Sequence, residues 1–179
     1  MDIVKSFTDA FNIYIKNFVV IILATLVAMI LSAVTFGILA MPLFVGVMML
    51  FVKAKKGEPV EFMSIFSPIK RFFALFFSSI WISILVLVGL VLLIVPGFIW
   101  ASWWMFTALF IFDKGMGIGA GMAASKVMVR KNNLWLHLLL IILAGVVGNL
   151  GYYVFRIGYL FTCPIAMGAI ACAYVDESK

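Results

Sequence analysis

The sequence predicts an all-α, polytopic membrane protein with six transmembrane helices arranged as three helical hairpins. One observation is composition: 66% of the 179 residues are apolar and only 11% are charged. An ordinary soluble domain is about half apolar and about a quarter charged, and a soluble globule of this size has no way to bury so much apolar surface. The other observation is that the apolar residues fall into six runs, at 18–36, 38–52, 72–95, 98–112, 134–155 and 157–175.

The same composition excludes a cytosolic enzyme, a secreted disulfide scaffold, a disordered chain and a coiled coil. The only two cysteines are Cys163 and Cys172. Their spacing puts them on nearly opposite faces of a helix, so we predict two packing residues and no metal or disulfide site.

The apolar runs pair naturally because very little chain separates the members of each pair. Gly37 separates the first two runs, Pro96 and Gly97 the next two, and Arg156 the last two. Unpaired backbone groups are costly in lipid, so such short tips favour tight hairpins. We predict one integral membrane domain over 1–179, with hairpins at about 18–52, 72–112 and 134–175.

The three hairpins resemble one another around their tips. In each, two large apolar residues and two further residues precede a proline, at Pro42, Pro96 and Pro164. Proline is tolerated in the first turn of a helix, where its missing N–H would be unpaired anyway. The pattern predicts a threefold internal repeat, with chance similarity between apolar segments as the alternative.

Two of the six runs are short for a membrane span. The runs 38–52 and 98–112 have 15 residues each, whereas about 20 residues are needed to cross a hydrocarbon core of roughly 30 Å. We expect both to span by including the polar residues at their ends, with lysines snorkelling. Re-entrant hairpins are the alternative.

Each hairpin is preceded by a segment with the pattern of an amphipathic surface helix. In 2–17, apolar residues such as Phe7 and Phe11 recur at helical spacing, with Asp9 and Lys16 among the polar residues opposite. The segments 59–67 and 116–131 repeat this pattern, with Pro59 as a plausible first helical residue. We predict that all three helices lie at the cytoplasmic membrane interface.

The distribution of charge predicts the orientation of the chain. Twelve of the thirteen lysines and arginines lie in the two termini and in the segments that join hairpins, and Arg156 is the exception. By the positive-inside rule, both termini are cytoplasmic in the inner membrane of a prokaryote. Anionic lipid headgroups on that side are the expected partners of the basic residues, and nucleic acid is not.

Small residues in the fifth run mark a predicted helix-packing seam. Gly145, Gly148 and Gly151 are spaced by three, which permits close approach of another helix. The sequence leaves open whether this seam is internal or lies between subunits.

Few polar residues interrupt the apolar runs. Ser78, Ser79 and Ser83 in the third run and Asn149 in the fifth are candidates for helix contacts or for a polar lining. Arg156 is predicted as an outer-face charge. His137, near the start of the fifth run, is expected at headgroup level or packed between helices. We predict no catalytic, cofactor-binding or metal-binding residue.

Three tryptophans follow the second hairpin tip. Trp100, Trp103 and Trp104 are placed as an aromatic belt at the outer membrane interface would be.

Several motifs resemble a known family. They are Leu92-Leu93-Ile94-Val95-Pro96-Gly97 with its Trp-rich return leg, Asp113, Ala124-Ser125 with a following basic-Asn pair, and the closing run with Pro164 and Ala173-Tyr174. The chain thereby resembles poorly characterised bacterial and archaeal membrane proteins that include the membrane domain attached to some glycerophosphodiester phosphodiesterases. The resemblance implies six helices and no catalytic residue, and no phosphodiesterase domain is present.

Two functions are compatible with these features. The first is a non-enzymatic membrane protein that acts by assembly, as a scaffold, an accessory subunit or a self-associating, membrane-organising homo-oligomer. The second is a small channel or transporter whose pore forms between subunits. The apolar runs contain no Asp, Glu or Lys, whereas coupled transport or catalysis in a membrane usually requires buried ionisable residues.

Overall fold

The computed structural model describes residues 2–92, 94–154 and 158–178, and this part of the chain contains helices and no strand. The elements in chain order are α1 (Ile3–Lys16), α2 (Phe18–Val34), α3 (Ala40–Lys56), the 3₁₀ helix η1 (Phe62–Arg71), α4 (Phe72–Leu92), α5 (Ile94–Trp104), α6 (Thr107–Asp113), α7 (Ile118–Lys131), α8 (Leu134–Val154) and α9 (Tyr159–Glu177).

Four helical segments in the described residues are long and apolar enough to cross a membrane, namely Phe62–Leu92, Val95–Asp113, Leu134–Gly151 and Tyr159–Glu177. A fifth results if α1 and α2, which meet at 96°, count as one broken span. The all-helical prediction is therefore confirmed for the part of the chain that the structure describes, which contains four or five candidate membrane-spanning helices.

Helix α9 is the centre of the fold, packing against α1, α3 and α8. Its buried face is built mostly from small residues, including Gly168, Ala169 and Cys172, which let neighbouring backbones approach closely. A Cβ at Gly168 would collide with the ring of Phe51 on α3. Side chains of α3, among them Leu43 and Leu50, are fully buried against this centre.

Consecutive long helices also pack in pairs, α2 with α3, α4 with α5, and α8 with α9. The connection between α2 and α3 contains two residues with left-handed backbone, Phe36 (φ 51°) and Gly37 (φ 83°). Glycine adopts this conformation without steric cost, which explains its place in so short a connection. Most of the large side chains of α4 are exposed, which shows that this helix lies at the edge of the bundle.

Helix α1 bends away from α2 at Asn17, whose backbone N–H and side-chain amide both donate to the carbonyl oxygen of Ile13. The face of α1 that packs on the bundle is narrow, with Ser6, Ala10 and Tyr14 buried. Phe11 and Ile15, which the sequence pattern assigns to the same apolar face as Tyr14, are 49% and 57% exposed. Helix α1 therefore carries a protein-facing side and a separate exposed apolar side.

The segment predicted as a helix from Pro59 is different in the structure. Residues 58–61 are not helical, and η1 begins at Phe62 as a 3₁₀ helix that contains Pro68. Proline removes a backbone N–H and disfavours α geometry in the residue before it, Ser67. The predicted α-helix at 59–67 is accordingly replaced by the tighter helix.

The run 98–112 is divided by a break at Met105 and Phe106, between α5 and α6. The Ser125 hydroxyl of α7 forms hydrogen bonds to backbone groups at this break. It donates to the carbonyl oxygen of Trp103 (2.7 Å) and accepts from the backbone N–H of Phe106 (3.2 Å). Since unpaired backbone groups are costly away from water, this pair of bonds fixes α7 against α5 and α6.

Candidate functional site

The structure gathers charged residues from distant parts of the chain into one polar cluster at the end of the bundle that carries Lys53, Lys55 and Lys56. We define this cluster by two lysines of α3 and the groups that they and their neighbours bind, and it consists of Asp9, Lys55, Lys56, Asp113, His137, Tyr174, Asp176 and Glu177.

Lys55 ties together three helices. Its ammonium nitrogen lies 3.1 Å from Asp9 Oδ2 on α1 and 2.5 Å from Asp176 Oδ2 on α9, and it donates to the carbonyl oxygen of Cys172 (3.1 Å). Burial alone would lower the pKa of Lys55, but the hydrogen bonds to Asp176 and Asp9 outweigh it and raise this pKa above its ordinary value. Lys55 is therefore charged at neutral pH and holds α1 against α9.

Lys56 makes the second connection. Its ammonium group donates to both oxygens of Asp113, at 2.9 and 3.2 Å, and the Tyr174 hydroxyl donates to Asp113 Oδ2 at 3.0 Å. The Tyr174 ring also packs edge-on against Phe110 at 5.1 Å between centroids. The ends of α3, α6 and α9 are joined in this way.

His137 and Glu177 form the most deeply buried pair of the cluster. Their side chains are 0% and 4% exposed, and His137 Nε2 lies 2.7 Å from Glu177 Oε2. The other ring nitrogen, Nδ1, lies 2.9 Å from the carbonyl oxygen of Asn133. A carbonyl only accepts, so Nδ1 carries a proton, and the Nε2–Oε2 contact holds one more. The pair thus has no net charge, which suits its burial.

The cluster includes residues that sequence reasoning missed. Asp113 ends α6, and Asp176 and Glu177 lie in the last turn of α9. A helix C-terminus carries a partial negative charge and favours cations, so acidic residues there call for compensating partners. The acidic residues at these helix C-termini were therefore a signal in the sequence, but this signal does not identify the basic residue that pairs with each of them.

The three glycines of the predicted seam lie in different surroundings. A Cβ at Gly148 would come within 3.2 Å of Ala166 Cβ, and a Cβ at Gly151 would collide with the backbone of Gly158. The Thr162 hydroxyl donates to the Gly148 carbonyl oxygen at 2.8 Å. A Cβ at Gly145 would meet nothing within 4 Å. Gly148 and Gly151 therefore face α9 within the chain, and Gly145 faces outward.

The candidates for a polar lining are not brought together by any hydrogen bond among the described residues. Ser78 is buried and donates to Leu75, and Ser79 donates to Phe76, both to backbone carbonyl oxygens of α4. Ser83 is exposed. Asn149 is exposed on α8 and donates its amide to the Gly145 carbonyl oxygen at 2.8 Å.

The predicted outer-face charge, Arg156, lies outside the described residues. The structure does not place Trp103 at the hairpin-tip end of the bundle, where the outer aromatic belt was expected. Its ring lies under Lys126 and Arg130 of α7, at 4.4 and 4.9 Å from the ring centroid. Helix α7 begins soon after Asp113 and ends shortly before His137, so Trp103 belongs to the lysine-rich end of the bundle. The break between α5 and α6 and its bonds to Ser125 hold it there.

Within residues 2–92, 94–154 and 158–178, no group of three or more His, Cys, Asp or Glu side chains is arranged to hold a metal ion. Cys163 and Cys172 are both free and buried. The chemistry of the cluster in the described part of the chain is therefore that of ion pairs and hydrogen bonds between helix ends.

No protein-family model, curated protein or solved structure matches this chain.

Proposed function

We propose that this chain is a non-enzymatic integral membrane protein that acts by assembly, as a scaffold, accessory subunit or self-associating membrane-organising protein, and that it forms a homo-oligomer. The observation that carries the proposal is an open groove of about 320 Å³ that runs along the seam between α8 and α9. Gly145 and Asn149 both line it and are exposed.

The groove has the chemistry that helix association in lipid requires. Its walls include small side chains, Ala144 and Cys163, and a flexible one, Met167. Close approach at Gly145 would let a second helix pack against α8, and the exposed Asn149 offers a polar contact across that interface. In lipid, such packing and interhelical hydrogen bonds take the place of the hydrophobic effect.

The membrane arrangement in this proposal is six spans in three hairpins, with both termini and the polar cluster on the cytoplasmic side of a prokaryotic inner membrane. The packing of α2 on α3, α4 on α5 and α8 on α9 supports the hairpins. Helix α2 has 17 residues, or roughly 26 Å at 1.5 Å per residue, which is close to the thickness of the hydrocarbon core, and α3 reaches the same length with Lys53, Lys55 and Lys56 of its last turn at the interface. The resemblance to the six-helix family of membrane proteins belongs to the same proposal.

Leucine substitutions at three glycines test assembly. Gly145→Leu should leave the fold intact and weaken self-association by about tenfold, roughly 1.4 kcal/mol. Gly148→Leu should impair folding, because Ala166 already lies close. Gly119→Leu is the matched control, since a Cβ at this helical glycine of α7 also meets nothing within 4 Å. The readout is particle mass in lipid nanodiscs, and equal association of the Gly145 and Gly119 variants would contradict the proposal.

The alternative function is a small channel or transporter with a pore between subunits. It is favoured by one observation, the exposure of Asn149 on the face proposed for association. Flux of ions or small solutes into liposomes that contain the wild-type chain, abolished in Asn149→Leu while oligomer mass is unchanged, would establish this function in place of the first.

A further inference from the structure

Two cations of α7 are placed together over one aromatic ring without an acidic partner. Lys126 Nζ and Arg130 Cζ lie 4.4 and 4.9 Å from the Trp103 ring centroid, so the two charges are no more than 9.3 Å apart, the sum of these distances. All seven carboxylate side chains of the sequence are described, and none lies within 4.0 Å of either cation. A cation over an indole face is stabilised by the ring but keeps its charge.

The ring itself offers a third donor. The indole Nε1–H of Trp103 is buried and has no acceptor among the described residues. A buried donor without a partner is costly, so this small region holds two positive charges and an unused N–H. All three groups are complementary to an anion with several acceptor oxygens.

An apolar groove lies on the same face of α5. Val95, Phe98 and Ile99 of α5 form one wall, and Trp135, Leu139 and Ile142 of α8 belong to the other, around a volume of about 340 Å³. Trp103 follows Ile99 by four residues, one helical turn along the same face. The groove therefore leads along α5 toward the two cations. Val127, between the cations in sequence, and Trp135 are 64% and 73% exposed, as expected for side chains in contact with lipid.

We infer that this face binds one anionic phospholipid, with its phosphate held by Lys126 and Arg130 and an acyl chain in the groove between α5 and α8. A phosphate supplies the negative charge and the acceptor oxygens that complement the two cations. Guanidinium and ammonium groups are the usual ligands of phosphate. The groove favours a lipid as the source of that phosphate, because a free anion would make no favourable contact with an apolar groove. The inference rests on the membrane location and orientation in the proposed function, and it is independent of self-association.

Native mass spectrometry of the delipidated full chain tests this site. Phosphatidylglycerol and phosphatidylcholine with the same acyl chains are added separately, and the wild type should retain one phosphatidylglycerol in preference to phosphatidylcholine. Lys126→Gln with Arg130→Gln should reduce retention about tenfold, since each basic residue near a membrane surface adds to the attraction of an anionic lipid. Lys5→Gln with Lys70→Gln, both exposed and on other elements, is the control with the same change of charge and should retain the lipid.

Two further arms identify the source of the phosphate. Ile142→Trp fills the groove and should weaken lipid retention while the cations remain. Glycerol phosphate, which has no acyl chain, should not compete at concentrations equal to that of the lipid. Competition by glycerol phosphate, or lipid retention unaffected by Ile142→Trp, would show a site for free phosphate and overturn the inference.

Equal loss of lipid from the test and control double variants would overturn it as well, and so would equal retention of the two lipids by the wild type. If the test double variant does not fold, the preference of the wild type decides the outcome. Loss of the lipid-binding inference would not contradict the proposed self-association, because self-association is measured separately with the Gly145 and Gly119 variants.

Discussion

His137 Nε2 contacts Glu177 Oε2 at 2.7 Å inside the protein, and this contact joins the first turn of α8 to the last turn of α9. The two residues are 40 positions apart in the sequence, and both side chains are almost completely buried. Breaking a buried pair by removing one partner leaves the other without compensation, which costs far more than the net contribution of the pair.

We expect Glu177→Leu to lower the free energy of unfolding by about 3 kcal/mol, because His137 would lose its buried partner. Glu177→Gln should cost less, since an amide N–H can donate to Nε2. His137→Phe combined with Glu177→Leu should recover part of the loss, because neither polar group remains. Unfolding in mixed detergent micelles measures all three, and a loss below about 1 kcal/mol for Glu177→Leu, as for a surface ion pair, would contradict this role of the pair.

Lys55→Met should release α1 from the bundle. The substitution removes the ion pairs to Asp9 and Asp176, which together contribute about 1–2 kcal/mol at their partly exposed positions. Proteolysis within residues 2–16 should then rise by about 5- to 30-fold. Lys16→Met, an exposed lysine of α1 with no ion pair in the described residues, is the control, and equal proteolysis of the two variants would contradict this role of Lys55.

The raised pKa of Lys55 predicts how the protection of α1 depends on pH. A lysine whose pKa is higher in the folded state stabilises that state fully below its unfolded pKa of about 10.4, and this contribution is lost as pH rises through the folded value. Protection of α1 should be constant from about pH 7 to 9 and fall above about pH 10.4. Lys55→Arg should extend protection to higher pH, because arginine stays protonated there. A loss of protection in the wild type already at about pH 8 would refute this explanation.

Gly151→Ala should destabilise the seam between α8 and α9. The new methyl group would collide with the Gly158 backbone, and overpacking of this kind costs about 1–3 kcal/mol. Gly145→Ala should be neutral or slightly stabilising, since the added Cβ meets open space and alanine favours a helix. Thermal unfolding in detergent compares them, and equal stability of the two variants would place Gly151 away from the seam.

Single cysteines test the orientation of the chain in a Cys163→Ala and Cys172→Ala background. Phe36 and Val95, near two predicted tips, are 96% and 64% exposed, and Phe36→Cys and Val95→Cys should react with an impermeant thiol reagent added outside intact cells. Lys114→Cys, at the lysine-rich end, should react only after the membrane is opened. Labelling of Lys114→Cys by reagent added outside intact cells would show the opposite orientation and contradict the prediction.

Local sequence patterns predicted the helices better than their packing. The predicted segments 2–17 and 116–131 correspond to α1 and α7 within about two residues at each end, because the spacing of apolar residues and the flanking Asn17 and Gly117 are local signals. The break at Met105 and Phe106 was not predicted, since it is stabilised by Ser125, 19 positions later. That contact also explains the misplaced Trp103.

The polar cluster depends almost entirely on distant contacts. Lys55 and Asp176 are 121 positions apart, and Lys56 and Asp113 are 57 apart. Hydropathy identifies which residues lie near helix ends, but it does not determine which ends meet. The spacing of three also did not show that Gly148 and Gly151 face α9 and that Gly145 faces outward. Small residues favour close packing both within a chain and between chains.

The most direct test of the proposed function is the number of chains per particle when the wild-type protein is extracted from its own membrane in polymer-bounded nanodiscs, without detergent. Counting bleaching steps of one fluorophore per chain gives this number at both low and high expression. Assembly through the face at Gly145 predicts two or more chains per particle at high density, and fewer for Gly145→Leu than for Gly119→Leu. A single chain per particle at every density, with no copurifying partner, would contradict assembly as the function.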